Sequence, residues 1–319
     1  MARYRVYTQA VLAFMLAVIL WGAYVRASGA GAGCGAHWPL CNGEVVPSSP
    51  VRDTMIEYTH RITSSGLGLA IFAQLWLAFR LFPKGSIVRK AAVFSTVFVL
   101  TEGLVGGVIV LLKHVAHNQS AGRAFTVTLH LANTFMLVAS QALLTWWASG
   151  NPEPQLGRHR REMKLVAVGL GLMLLVGCTG AVTALGDTLF RSTSLLEGMS
   201  EDFQEGAHML KRLRIFHPVM AVCTAAYLFF LSLFAVPRDA GPAPRKVGSM
   251  LSLVVGAQVL FGFINLALLA PTWMQIGHLL LADCVWMLII VLGASVLGDP
   301  GTAVSEAPHP PTPSPNASV

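Results

Sequence analysis

Residues 124–148, AFTVTLHLANTFMLVASQALLTWWA, run for 25 positions without Asp, Glu, Lys or Arg and hold one ionisable side chain, His130. A bilayer core takes roughly 20 apolar residues of helix to cross, so the stretch reads as a membrane span with an imidazole inside it. Seven further runs read the same way, at about 8–26, 56–80, 88–113, 164–186, 211–236, 247–270 and 273–298. Composition agrees: of 319 residues, 54% are hydrophobic and 12% charged, against about 25% charged in a soluble domain. That balance excludes an ordinary cytosolic enzyme, a disordered chain and a nucleic-acid reader built on basic stripes. The expected fold is all-α, a polytopic protein of eight transmembrane helices in contact with membrane lipid. The Pro-, Ser- and Ala-rich tail, 299–319, is expected to be disordered.

The formal charge of +7 acts first as an orientation signal. Thirteen of the 22 Lys and Arg lie at one set of span ends, from Arg3 and Arg5 through Arg89 and Lys90 to Arg245 and Lys246, with Arg158 and Arg238 among them. The other nine are mixed with acids such as Glu44, Asp53 and Asp187. Both termini are therefore expected in the cytoplasm of a bacterial cell, and the long loops 27–55 and 187–210 outside its membrane. Cys34 and Cys41 lie on that outer side, where disulfides persist. The first span follows two arginines and could pass for a signal peptide; the repeat described next argues that it is retained.

The chain reads as one unit used twice. GAYVRASG (22–29) ends the first span and GAVTALG (180–186) ends the fifth. EGLVGGVIVLL (102–112) is answered by AQVLFGFINLALL (257–269), and LHLANTFML around His130 by GHLLLADCVWML around His278. The expected organisation is two pseudo-symmetric four-helix bundles, 1–150 and 151–298, related as a parallel repeat.

Ionisable side chains within spans are costly and mark function. Of ten histidines, His60, His130, His217 and His278 fall in the first two turns of the four even-numbered spans. Those spans all start on the outer side, so the imidazoles share a depth. Two facing helices with one His each can hold a planar metal macrocycle from both faces, which pairs His60 with His130 and His217 with His278. Zinc would want three or four converging ligands, and each half supplies two. Arg61, Arg123 and Arg214 lie at outer helix ends, suited either to haem propionates or to snorkelling. Gly66, Gly68, Gly106 and Gly107 are expected to allow close approach of helices or a flat ring. Pro218 suits the first turn of a helix. Glu57 shares a helical face with His60, which makes it either a base beside the macrocycle or a solvated residue at a helix start. Arg214 holds the corresponding place before His217.

The ordered series GAYVRASGAGAGC (22–34), CGAHWPLC (34–41), EYTHR (57–61), LHLANT (129–134), FHP (216–218) and GHLLLAD (277–283) resembles the heme A synthase family of respiratory-oxidase assembly. The resemblance covers all eight spans and leaves out only the tail. It implies oxidation of the C8 methyl of heme O to a formyl group, by successive hydroxylations with water-derived oxygen. It implies a resident heme b on His217 and His278, substrate heme O on His60 and His130, a catalytic carboxylate at Glu57, and an outer-loop cysteine pair at Cys34 and Cys41. Heme O synthase and an electron acceptor are the implied partners, and an oligomer packed through the long loops is compatible with it. Many relatives carry an acid before the loop Trp, where this chain has His37. Around Trp38-Pro39, Cys34 and Cys41 can close a small disulfide loop; the alternative is a free or regulatory thiol pair. Two other functions share the same histidines: a two-haem membrane cytochrome for electron transfer, and a haem transporter or chaperone without chemistry.

Overall fold

A computed structural model of the chain describes residues 1–48, 51–155, 159–237 and 240–298; the tail 299–319, Arg158 and Arg238 lie outside the described residues. Its helices are α1 (Ala2–Ala27), α2 (Arg52–Leu81), α3 (Ile87–Leu111), α4 (Ala121–Ala148), α5 (Arg160–Leu189), α6 (Leu195–Asp202), α7 (Met209–Arg214), α8 (Phe216–Phe234), α9 (Pro242–Ala267) and α10 (Thr272–Gly298). With α7 and α8 taken together as Met209–Phe234, eight helices are long and apolar enough to cross a membrane. Among the described residues there is no strand. The fold is an all-α polytopic membrane protein.

Each helix is set by its apolar run, but most outlast it. α1 starts at Ala2 and α9 at Pro242, several residues before the uncharged segments, because polar side chains at a helix end can reach water and do not stop the backbone. Ser86 and Ser120 cap α3 and α4 by accepting from the backbone N–H of Arg89 and Arg123. The sixth span is interrupted at Ile215. Pro218 has no N–H for the carbonyl of Arg214, and its ring crowds that carbonyl. A new helix therefore starts at Phe216, with Pro218 in its first turn.

The packing order follows the repeat. α1 lies on α2, α2 on α3, α3 on α4 and α4 back on α1; α5, α8, α9 and α10 close the same ring. The two rings meet through α4 with α5, α4 with α10 and α1 with α10. At this seam the Phe135 and Trp286 rings stack with centroids 4.9 Å apart, and Trp286 Nε1 donates to the Phe135 carbonyl at 2.7 Å. Inside the first ring, buried Gln141 accepts from Gln74 and Ser95 and donates to the Thr8 carbonyl. One side chain thus joins four helices by hydrogen bonds that have no competing water in a bilayer. The outward faces are apolar: Leu69, Leu233 and Leu253 are 71%, 70% and 74% exposed. Such surfaces suit lipid rather than water.

Candidate functional site

One cavity of about 970 Å³ opens between the helices and is lined by His60, His130, His217 and His278 together with Glu57, Arg61, Arg123 and Arg214. Ligand pockets usually fall between about 300 and 1,000 Å³, so there is room for large ligands. His60, His130 and His278 lie 8, 9 and 6 residues past the starts of α2, α4 and α10, and His217 lies 8 past Met209. At 1.5 Å per residue that is roughly 9–14 Å along each helix. The four histidines thus stand at similar distances from their helix starts, up to a turn further in than the apolar runs imply, since the helices begin earlier.

Each imidazole is set against a glycine of the preceding span. A Cβ on Gly22 would come 2.8 Å from His60 Cε1, and one on Gly180 or Gly262 would come 3.0 Å from Cε1 of His217 or His278. Gly106 stands in the same relation to His130, at 3.8 Å. Gly107 takes the Trp38 ring, with a Cβ position 3.0 Å from it. A Cβ on Gly66 or Gly68 would meet nothing within 4 Å, so neither makes a close helix contact. The glycine function falls instead to Gly22, Gly180 and Gly262.

The C-terminal histidine pair has the spacing of a bis-imidazole macrocycle site. The His217 and His278 rings have centroids 6.5 Å apart. Metal–nitrogen bonds of about 2 Å on both faces, plus about 1 Å from nitrogen to ring centre, would put the centroids roughly 6 Å apart. Nδ1 of His60, of His130 and of His278 is buried with no hydrogen-bond partner among the described residues. Nor does any group of three His, Cys, Asp or Glu among the described residues converge there as a metal-ion site would require. The donor set is thus two imidazoles per half.

Cys34 and Cys41 are joined by a disulfide, and the loop it closes is fastened to α2. Gly33 passes so close over the start of α2 that a Cβ would lie 2.4 Å from the Asp53 carbonyl, and Thr54 Oγ1 donates to the Gly33 carbonyl at 2.7 Å. Glu57, 4% exposed, accepts the Cys34 N–H on Oε2 at 2.8 Å and is ion-paired to Arg61 through Oε1. The same guanidinium donates to the carbonyls of His37 and Leu40. Position 37 thus serves the clasp through its backbone, with its side chain exposed. Glu57 is accordingly not a solvated helix-start residue. It is a buried anion held from two sides at the cavity wall.

The three arginines differ. Arg61 is taken up by the clasp. Arg214 spends its donors on Asp202, Asp187, Ser192 and the carbonyls of Phe190 and Gly198. Arg123, 2% exposed, reaches the carbonyls of Ala116 and Asn118 with Nη1, and its Nε has no hydrogen-bond partner among the described residues. It is the member of the three with a donor to spare for an anion. Two groups were not singled out by sequence reasoning. Arg26 crosses the seam, donating to Ala184, Thr188 and Gln275. Glu102 Oε1 lies 3.4 Å from His130 Nδ1. The signal for Glu102 was present in the repeat, which sets it over Gln258.

Residues 5–290 match the COX15-CtaA family model, described as cytochrome oxidase assembly protein. Two proteins named protoheme IX farnesyltransferase, from two strains of Thermus thermophilus, are each 45% identical over 291 residues, 91% of this chain and 48% of theirs. A heme A synthase of Halalkalibacterium halodurans is 35% identical over 144 residues, covering 44% of this chain and 45% of that protein. One of Bacillus mycoides is 38% identical over 97 residues, 30% of this chain and 31% of its own. The chain spans about half the length, or less, of these relatives.

Proposed function

Since the chain belongs to the COX15-CtaA family of cytochrome oxidase assembly proteins, we propose that it is a heme A synthase. The reaction is oxidation of the C8 methyl of heme O to a formyl group. The observation that carries this reading is a buried, doubly held carboxylate, Glu57, beside one of two otherwise similar imidazole pairs. A plain two-haem cytochrome has no use for that asymmetry.

In this reading His60 and His130 hold the substrate, and His217 and His278 hold a resident heme b. When bound, that haem supplies one-electron redox chemistry. The methyl is oxidised twice by two electrons, with water providing oxygen each time, and the resulting geminal diol loses water to leave the aldehyde. The electrons pass to an acceptor outside this chain. Glu57 stabilises the electron-poor carbon and takes a proton from the methyl or the attacking water. Arg61 and the Cys34 N–H keep the carboxylate aimed, and the disulfide loop with Trp38 covers the mouth. Arg123 meets a propionate.

The Thermus relatives, about twice as long, are named for farnesyl transfer to protohaem. Transfer from a prenyl diphosphate calls for carboxylates that hold Mg²⁺, and the described residues here form no such cluster. That step is assigned to another domain or protein, a heme O synthase, which would deliver this chain's substrate. In this reading the protein lies in a bacterial cell membrane with cytoplasmic termini and loops 27–55 and 187–210 outside. Single-cysteine labelling should reach both loops from outside; labelling of 84–90 from that side would reverse the orientation. Co-expression with a heme O synthase, followed by chromatography of the extracted haems, tests the activity. Heme A is expected, and its absence while heme O accumulates would reject the reading.

A further inference from the structure

We propose that Glu102 is a positioning residue for the iron held at the N-terminal site: its carboxylate takes the free N–H of His130 and makes that imidazole the stronger iron ligand of the two related by the repeat. The inference rests on the bis-histidine reading above. The repeat sets EGLVGG (102–107) over QVLFGF (258–263). Gly106 then corresponds to Gly262, and both face a histidine of the next span, His130 and His278. One helical turn earlier on the same face stand Glu102 and Gln258. Glu102 Oε1 lies 3.4 Å from His130 Nδ1, and Gln258 Nε2 lies 3.3 Å from His278 Nε2. Two unrelated side chains therefore approach equivalent imidazoles from equivalent positions, Glu102 as an anion at Nδ1 and Gln258 as a neutral amide at Nε2.

The anion is built in. Thr134 Oγ1 and Asn133 Nδ2 both donate to it. Asn133 is itself oriented by Thr101 Oγ1, at 2.7 Å from its Oδ1, and by the Phe98 carbonyl. On the other side, Gln258 Oε1 has no hydrogen-bond partner among the described residues. His130 Nδ1 likewise has no hydrogen bond there, and the Glu102 carboxylate lies 3.4 Å from it. A purely structural Glu102 would tie α3 to α4 through Thr134 and Asn133 and need no imidazole.

A carboxylate on the far nitrogen of a ligating histidine fixes its tautomer and raises its basicity. A more basic ligand favours the ferric over the ferrous ion. Two sites with the same pair of imidazoles would then differ in potential, with the N-terminal site harder to reduce. The asymmetry lies on a different helix from Glu57 and acts on the iron, whereas Glu57 acts on the ring edge.

The test is spectroelectrochemical titration of the purified full-length protein loaded with ferric heme b, in a His217→Ala background so that the N-terminal site alone is read. Glu102→Gln should raise the potential by about 59 mV, a tenfold change in ferric-to-ferrous preference for a one-electron couple, and Glu102→Asp should restore part of it. The reciprocal Gln258→Glu, in the otherwise unaltered chain, should lower the C-terminal site by a similar amount. If Glu102→Gln does not fold, Gln258→Glu and Thr134→Val, which removes an anchor of the carboxylate, carry the test. A low-spin haem whose potential is unmoved in Glu102→Gln, or in Gln258→Glu, overturns the proposal. These readings need no turnover. A protein that shows the shifts and makes no heme A would refute the synthase reading and leave this one in place.

Discussion

Glu57→Gln separates chemistry from architecture, because the structure gives the carboxylate two jobs. Oε2 accepts the Cys34 N–H and Oε1 takes the Arg61 guanidinium. Glutamine offers one oxygen, so one of these donors must face an NH₂ group. A buried donor left unmatched costs about 1–3 kcal/mol, which strains the clasp without unfolding eight packed helices. Loss of the anion and base should cost about 10²–10⁴ in rate, or roughly 3–5 kcal/mol of barrier. The assay is heme A formed per resident haem in cells that also express a heme O synthase. Glu57→Gln should keep the resident haem and make at most about one hundredth of the heme A.

Arg61→Gln is the companion. It removes the hold on the His37 and Leu40 carbonyls but leaves the carboxylate on the Cys34 N–H. It should loosen the loop, seen as faster reduction of the disulfide, and retain more activity than Glu57→Gln. Near-normal heme A from Glu57→Gln would refute the carboxylate's chemical role. Equal losses in both variants, with equal loosening of the loop, would reduce Glu57 to an anchor.

Three further outcomes are expected. His217→Ala or His278→Ala should abolish the low-spin haem spectrum of the purified protein, since each takes one face of the same iron; an unchanged spectrum would reject the pair. Gly180→Val should displace His217 and lower resident haem content several-fold, while Gly66→Val, at a position where a Cβ meets nothing within 4 Å, should leave haem content as it is. Cys34→Ser should cost about 2–3 kcal/mol, the order expected for a closed loop this short, and should lower activity more than resident haem content, because the loop it frees covers the N-terminal site; a loss confined to the resident haem would contradict that placement.

The eight spans were legible because they are a one-dimensional signal. An uncharged run longer than a bilayer can be counted, and an imidazole inside such a run stands out against it. Pairing of Cys34 with Cys41 was legible for the same reason: the two are close in sequence. Contacts between helices were not. Gly22 and His60 are 38 residues apart, and that interval was visible only as part of a repeat; that the two touch needs the α1–α2 packing. Gly66 and Gly68, where a Cβ would meet nothing within 4 Å, show that a small residue in a span does not by itself mark a helix contact. Glu102 does not stand out along the chain because it is one acid within the 88–113 span, and its partner His130 lies on the next helix.

In the proposed reading, a repeat accounts for how one scaffold can hold two unlike sites. Duplication copies what is set by backbone and packing: the order of helices, a glycine under each imidazole, the depth of the ligands. It does not protect single side chains in the wall. Glu57 has Arg214 as its counterpart and Glu102 has Gln258, so both carboxylates lie in the N-terminal half and neither has an acidic twin. Arg214 is bound to Asp202 and Asp187, which turns the equivalent corner of the second half into a closed internal network. In the proposed reading the first half keeps one anion, Glu57, beside the ring edge and another, Glu102, behind a ligand. A site that must oxidise its haem's periphery needs negative charge near it, whereas a site that only retains a haem does better with charges already paired, as Arg214 is with Asp187 and Asp202. Exchanging the pair Glu102 and Gln258 tests that division directly: if function follows the walls, the double exchange should invert the order of the two potentials while both haems stay bound.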